Sequence, residues 1–309
     1  MQHRKWVILA IIITIGLWGT AFPAIKLALA SYSPMEVGTL RFFVAAFVFI
    51  LLACVNKVRM PPLKDWPIFL LIALTGGIGY HLLLNSGESY TDAGTAGFVV
   101  STSPLFTILL SYVFFKENFS LEKFIGALIS LLGVWIIAVD SDAAMKMNAG
   151  VIFLLMGALL WSLFFIIQKA ALRGYSSIEV ITYAVWIAAI LFLLFSHPVS
   201  LITSIPHRQT MATWAVIYLG IFPTCIAYCT WAYTLKNVNI STASIYTYFI
   251  PFISALLAYF FLDEHYTPLF LLGGLLIIIG IVIANNLKML RRWMRSIAKK
   301  ARIKKARIT

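Results

Sequence analysis

Ionisable side chains are scarce inside the apolar stretches of this chain, so each one is a candidate for chemistry. A charged group at the centre of a membrane helix costs about 2.5–3.5 kcal/mol on insertion scales. His81 lies about fifteen residues into the apolar run Trp66–Ser86, roughly 22 Å along a helix at 1.5 Å per residue. Two readings stand for it: an imidazole that exchanges protons near neutral pH, or a hydrogen-bonded side chain that shapes a cavity wall. The 11 acidic residues all fall in loops or near the ends of apolar runs. A carboxylate proton relay, or a sodium cage built on Asp or Glu, therefore has no evident home. Lys26 and Glu36 flank one short turn, and Lys169 and Glu179 flank another. Each pair reads either as an ion-pair gate or as two interface anchors, since a lysine near a helix end snorkels its ammonium to water at little cost. Arg41, one turn deeper than Glu36, can answer Glu36 or a substrate carboxylate.

Enzyme chemistry finds little support. There is no Gly-x-Ser-x-Gly elbow, no His-Glu-x-x-His zinc pair and no phosphate-binding Gly-x-x-x-x-Gly-Lys-[Ser/Thr] loop. His81 has no acidic partner within its own run. Cys225 and Cys229 share a helix face but lack a His or carboxylate to complete a metal set, so they read as small buried residues. Neither a metal nor a cofactor is expected.

The elements that must hold these residues are set by composition. Hydrophobic residues make up 61% of the 309-residue chain and charged residues 11%, against roughly 45–50% and 25% in soluble domains. Lipid is the solvent that suits such a surface. Spans of about 20 apolar residues cross a bilayer as helix. The sequence offers Trp6–Leu29, Met35–Val55, Trp66–Ser86, Gly94–Phe115, Leu121–Val139, Ala149–Leu172, Ile178–Phe195, Ala212–Leu235, Ile240–Leu262 and Thr267–Leu287. The alternating pattern of a membrane barrel is absent. The first run is too long for a secretory signal core and lacks a cleavage site, so it reads as a retained span.

The spans repeat. Trp18, Lys26, Tyr32 and Glu36 recur as Trp161, Lys169, Tyr175 and Glu179, about 143 positions on. Thr95-Ala96, Pro104, Glu117, Gly126 and Gly133 recur as Thr242-Ala243, Pro251, Glu264, Gly273 and Gly280, about 147 positions on. The extra residues are expected around Ser196–Thr210. Five spans is an odd number, so the second copy enters the membrane from the opposite side. The expected fold is an all-α integral membrane protein of ten transmembrane helices, arranged as two inverted five-helix repeats (residues 1–139 and 149–287) and a basic tail (288–309). The paired glycines read as close helix packing. Gly76, Gly77 and Gly79, with Pro223 in the comparable later span, read either as plain kinks or as the interrupted helices that mark a transporter's binding site.

Charge gives the orientation. Lys57, Arg59, Lys64, Lys116, Lys123, Arg173 and Lys236 fall in loops on one side, with Arg4 and Lys5; only Lys146 and Arg208 fall on the other. The positive-inside rule puts both termini in the cytoplasm. Much of the +13 net charge sits in the tail, which has ten basic and no acidic residues from Lys288 to Arg307. With Leu290, Trp293, Met294 and Ile297 at helical spacing, the tail reads as a segment on anionic lipid headgroups rather than a nucleic-acid binder.

The stretch Trp18-Gly19-Thr20-Ala21-Phe22 with Lys26, Tyr80, Thr95-Ala96, Pro104, Glu117 and Gly126 resembles the first repeat of EamA-type members of the drug/metabolite transporter superfamily. Tyr228, Trp231, Thr242-Ala243, Pro251, Glu264, Gly273 and Gly280 resemble the second. Family members often carry Gly-Glu after the fourth span, where this chain has Lys116-Glu117 and, in the second half, Asp263-Glu264. The resemblance implies ten helices, cytoplasmic termini, a central cavity and export of small metabolites, often amino acids. It puts Trp18, Tyr80, Phe98, Trp161, Tyr228, Trp231, Tyr246 and Tyr248 in cavity-lining spans; the expected substrate-binding set is all of these except Tyr248, together with His81. Trp18 and Trp161 are each about twelve residues into their spans, near mid-membrane. The expectation is a secondary transporter in the inner membrane, not an enzyme. It would export a small neutral or zwitterionic metabolite such as an amino acid by alternating access, with a homodimer left open. An intramembrane or lipid-modifying enzyme, or a channel, is the alternative.

Overall fold

The computed structural model describes residues 2–116, 121–140, 149–263 and 267–285. Glu117, Glu264, Lys146, the centre of the link between the two halves, and the basic tail lie outside the described residues. Every regular element among the described residues is helical. Lipid imposes this, because only a helix or a closed barrel satisfies its own backbone groups without water. Eight helices are long and apolar enough to cross a membrane: α1 (Lys5–Leu29), α2 (Pro34–Asn56), α3 (Leu63–Tyr90), α4 (Ala93–Phe115), then α6 (Ala149–Ala171), α7 (Ser177–Phe195), α8 (Thr210–Asn237) and α9 (Ile240–Leu262). Between and after them run α5 (Leu121–Asp140) and α10 (Pro268–Asn285). Phe47, Val55, Leu194 and Phe261 are among many large apolar side chains left exposed on the outer faces, as a lipid-facing surface requires.

α5 and α10 pack against each other through small residues. A Cβ on Gly133 would press on the Gly273 carbonyl, and one on Gly280 would press on Ser130 and the Gly126 carbonyl. Ser130 Oγ donates to Gly126 O at 3.0 Å and to Ile277 O at 3.3 Å. Here the paired glycines allow close approach.

Four of the long helices are broken at matched places. α3 carries a π-helical turn at Ala73–Gly79, and α8 carries one at Gly220–Ile226, which contains Pro223. α4 breaks at Ser101–Thr102, just ahead of Pro104. α9 tightens to a 3₁₀ turn at Thr247–Phe249, just ahead of Pro251. Proline cannot donate to the ladder and crowds the preceding turn, and π turns are common at functional sites. Gly76 has a second role. A Cβ there would collide with the Phe164 ring, so its absence lets α3 close on α6.

Helix ends are tied by the same devices in both halves. α2 and α7 each start on a capping box. Ser33 N donates to Glu36 Oε2 at 2.7 Å, and Ser176 N donates to Glu179 Oε2 at 2.8 Å. At the far end of α3, Lys26 Nζ donates to Glu88 O at 3.1 Å and Thr91 O at 2.5 Å. At the far end of α8, Lys169 Nζ donates to Leu235 O, and to Val238 O at 2.9 Å. Each lysine meets carbonyls that the end of a helix leaves without an intrahelical partner, at the negative end of its dipole. α3 runs to Tyr90, past the Ser86 expected from sequence, and this buries Glu88 completely.

Lys116 and Asp263 close α4 and α9 in the left-handed region, at φ 52° and 54°. Side chains with a Cβ pay about 1–2 kcal/mol in that conformation, a penalty glycine avoids. Lys116→Gly and Asp263→Gly are each expected to raise the thermal unfolding midpoint of the detergent-purified protein. An unchanged or lowered midpoint in both would contradict the strain.

Candidate functional site

The breaks converge on one interior cavity. Trp18, Ala21 and Phe22 of α1, Arg41 of α2, Tyr80, His81 and Leu84 of α3, and Trp161 of α6 line it, with Tyr228 of α8. The backbone around the α4 and α9 breaks completes it through Ser101, Ser103, Thr247 and Ile250. Its volume is about 30 Å³, enough for a water or two, since a single water needs at least roughly 10–15 Å³ on this measure. The wall is aromatic. Trp18 meets Trp161 edge-on with centroids 4.9 Å apart, and Tyr80 stacks on Trp161 at 4.2 Å. Tyr80 also packs edge-on against His81 at 4.8 Å. Mostly apolar walls with a few polar groups are the usual make-up of a small-molecule site.

The polar groups form two chains. Tyr228 Oη donates to Gly76 O at 2.9 Å, in the π turn of α3. It also lies 2.8 Å from His81 Nε2. A phenol has one proton, so with that proton on Gly76 the contact to His81 must be donated by the imidazole. This assigns the Nε2–H tautomer to a neutral His81 and leaves Nδ1 as an acceptor, buried and without a partner. Trp18 Nε1 donates to Pro223 O at 3.2 Å, in the π turn of α8. In the second chain, Arg41 Nε donates to Thr224 Oγ1 at 2.6 Å, and Thr224 donates to Leu219 O at 2.8 Å. Arg41 Nη1 is buried and donates to nothing.

Of the side chains expected to contact substrate, Trp18, Tyr80, His81, Trp161 and Tyr228 come together here. The other three do not. Phe98 packs against Phe252 and Phe270 on the far side of α4. Trp231 is fully buried one layer behind, against Trp18 and Phe165. Tyr246 faces an outer groove with Ile8 and Ile12. The α9 break decides this last case, because it turns Thr247 rather than Tyr246 toward the cavity. Arg41, Ser101, Ser103 and Thr247 belong in its place. Tyr248 is buried in the Phe98 cluster.

The four expected gate residues also take other partners. Lys26 and Lys169 bind backbone carbonyls, not Glu36 and Glu179. Glu36 pairs with Arg208 at 2.9 Å, and Arg208 also donates to Ser31 O. Tyr32 bonds Thr213 at 2.8 Å beside it. At the opposite end, Glu179 accepts from Arg59 N at 3.5 Å, and Tyr183 donates to Arg59 O at 2.8 Å. Tyr175 donates to Asp65 Oδ2 at 2.5 Å. That carboxylate pushes the Tyr175 phenol up to about 12, which keeps the proton on it at neutral pH. The Ser-x-x-Glu pattern of the two capping boxes was readable in sequence and explains why the glutamates turn back on their own helix ends. Among the described residues no group of His, Cys, Asp and Glu is placed to hold a metal ion.

The model of the EamA-like transporter family matches residues 4–139 and again 148–286. The chain belongs to that family. Among similar proteins of this kind, "Uncharacterized transporter YdfC" of Bacillus subtilis is 33% identical over 267 residues, covering 86% of this chain and 87% of that one. "Probable terminal-alkyne amino-acid exporter" of Streptantibioticus cattleyicolor is 30% identical over 283 residues, covering 92% and 94%. A solved crystal structure superimposes with a TM-score of 0.70 at 22% identity, covering 91% of this chain and 96% of the other. At that identity the likeness speaks for the fold alone. This EamA-like chain is thus a multi-pass membrane protein of a transporter family.

Removing the Tyr228 hydroxyl would orphan a buried carbonyl and a buried imidazole N–H together. An orphaned buried polar group costs about 1–3 kcal/mol. Tyr228→Phe should therefore lower the unfolding midpoint in detergent clearly, while Tyr246→Phe leaves it in place. Equal midpoints for the two variants would refute the assigned bonds.

Proposed function

We propose that this chain is a secondary transporter that exports a small neutral or zwitterionic metabolite, such as an amino acid, by alternating access. The observation that carries the reading is the cavity itself: small, aromatic-walled and built near helix breaks from both halves. The name of the Streptantibioticus cattleyicolor relative, a probable terminal-alkyne amino-acid exporter at 30% identity, supports the substrate class. The architecture we infer is ten membrane helices in two inverted five-helix repeats, residues 1–139 and 149–287. Matched π turns, capping boxes and lysine caps support it. Both termini face the cytoplasm of a cell whose inner membrane holds the protein, and the basic tail from residue 288 lies on anionic lipid. No enzymatic step is assigned to the site.

Proteoliposomes loaded with labelled amino acids and small amines test the reading directly. Flux of at least one amino acid is expected, either facilitated or weakly responsive to an imposed pH gradient through His81. Absence of flux for every solute would overturn the transporter reading, and strong sodium dependence would overturn the coupling.

The gates of this reading are Glu36–Arg208 at one end, with Tyr32, and Tyr175–Asp65 with Glu179–Arg59 at the other. Arg208→Gln removes the ion pair while sparing the Glu36 capping box. A partly exposed pair contributes about 0–1 kcal/mol, so the population open at that end should rise by up to about fivefold. With Cys54, Cys225 and Cys229 replaced, a cysteine at Ser103 should label faster with an impermeant thiol reagent from that side only. Tyr175→Phe should favour the other side. Identical labelling in both variants and the parent would remove these contacts from gating.

A further inference from the structure

Arg41 is built into the cavity in a way that folding alone does not explain. It is 2% exposed, among the largest fully buried side chains of the molecule, and no carboxylate among the described residues lies within ion-pair distance of it, the buried Glu88 acting on it only at longer range. Its one hydrogen bond, from Nε to Thr224, holds the plane of the guanidinium against the broken turn of α8. Thr224 is itself fixed, because its proton goes to Leu219 O. The fork therefore has its orientation set at one edge, while Nη1 is left with no acceptor. Buried charges are normally paired, and an arginine with a free edge is the side chain whose geometry fits a carboxylate end-on.

The neighbouring polar atom is of the opposite kind. His81 Nδ1 is an acceptor without a donor, fixed in that state by the proton chain through Tyr228 to Gly76 O. No aspartate or glutamate lines the cavity. An organic cation would thus meet aromatic faces, an imidazole and the hydroxyl-bearing residues Ser101, Ser103 and Thr247, but no carboxylate, against the repulsion of Arg41. We propose that the substrate carries a carboxylate, which Arg41 binds in the cavity, and that its amine donates to His81 Nδ1 while its apolar body lies against Trp18 and Trp161. The α-amino acids have this arrangement; amines, amides and uncharged solutes do not. The proposal rests on the transport reading and names the substrate class of the same site. The cavity volume of about 30 Å³ is too small for any amino acid beyond a water or two of space, by the measure used above, so the bound state has its walls drawn apart.

The experiment needs no variant to begin. The full chain in liposomes is assayed for flux of labelled L-amino acids, and of the amide and the decarboxylated amine of each. Unlabelled members of each set serve as competitors. Acids are expected to be carried and to compete at least tenfold more tightly than the amide or amine with the same side chain. Arg41→Gln should erase that preference, and Arg41→Lys, which keeps the charge but loses the fork, should weaken acid binding. Both are checked by their unfolding midpoints. Should Arg41→Gln fail to fold, the acid-to-amide ratio in the parent decides. Amides or amines that compete within threefold of their acids, or a preference that survives Arg41→Gln in folded protein, would overturn the carboxylate and leave the transporter standing. Absence of flux for every compound would overturn both.

Discussion

A broken helix inside lipid leaves carbonyl oxygens that no water can reach, and each must find a donor from the protein. Most of the cavity's architecture follows from that constraint. The π turns of α3 and α8 expose Gly76 O and Pro223 O. The donors come crosswise, from Tyr228 on α8 to Gly76 and from Trp18 on α1 to Pro223. Neither half of the chain satisfies its own break. The aromatic wall is therefore not merely an apolar surface for a ligand. Two of its members hold the two halves together at the point where both are weakest as helices, and His81 is oriented by the same phenol.

Similar logic governs the helix ends. Carbonyls at the C-termini of α3 and α8 lie at half-buried positions, where solvent serves them poorly. Lys26 and Lys169 reach them from α1 and α6. An ammonium with three donors suits several carbonyls at once, better than it suits a single carboxylate several residues away. The glutamates are held at their own helix ends by the serines that start α2 and α7, which leaves Glu36 one oxygen for Arg208. The longer-range contacts at these two ends come instead from Arg208, in the segment that holds the short helix Pro198–Ser204, and from the Arg59–Asp65 segment before α3.

Eight of the ten expected spans, the repeat of the family match and the breaks near Gly76 and Pro223 were legible in the sequence, because length, hydropathy and helix-breaking residues report directly on backbone hydrogen bonding. Trp18, Trp161 and His81 were legible from their depth in the spans, and Tyr80 and Tyr228 from the family resemblance. Facing was not. Phe98 and Tyr246 lie just ahead of the α4 and α9 breaks and face away from the cavity, while Ser101 and Thr247, at the breaks themselves, line it. Ordinary 3.6-residue periodicity does not carry that information. The gates failed for a different reason. Pairing opposite charges by proximity in sequence ignored the backbone as a competitor for both partners. Arg41 was visible as a charge in a span, but its depth and its fixed plane depend on Thr224, 183 residues away in the chain.

The crosswise bonds also bear on how the protein is made. Gly76 and Tyr228 are 152 residues apart, and synthesis proceeds at about 5–20 residues per second. For roughly 8–30 s after the ribosome has delivered the α3 break, its natural donor does not yet exist. During that interval the N-terminal half must reside in the bilayer with a polar wound, served by water drawn into an unfinished groove or by some transient partner. The insertion machinery therefore handles a half-protein that is hydrophobic enough to enter the membrane and yet incompletely satisfied once there. Completion comes only when α8 is released and docks.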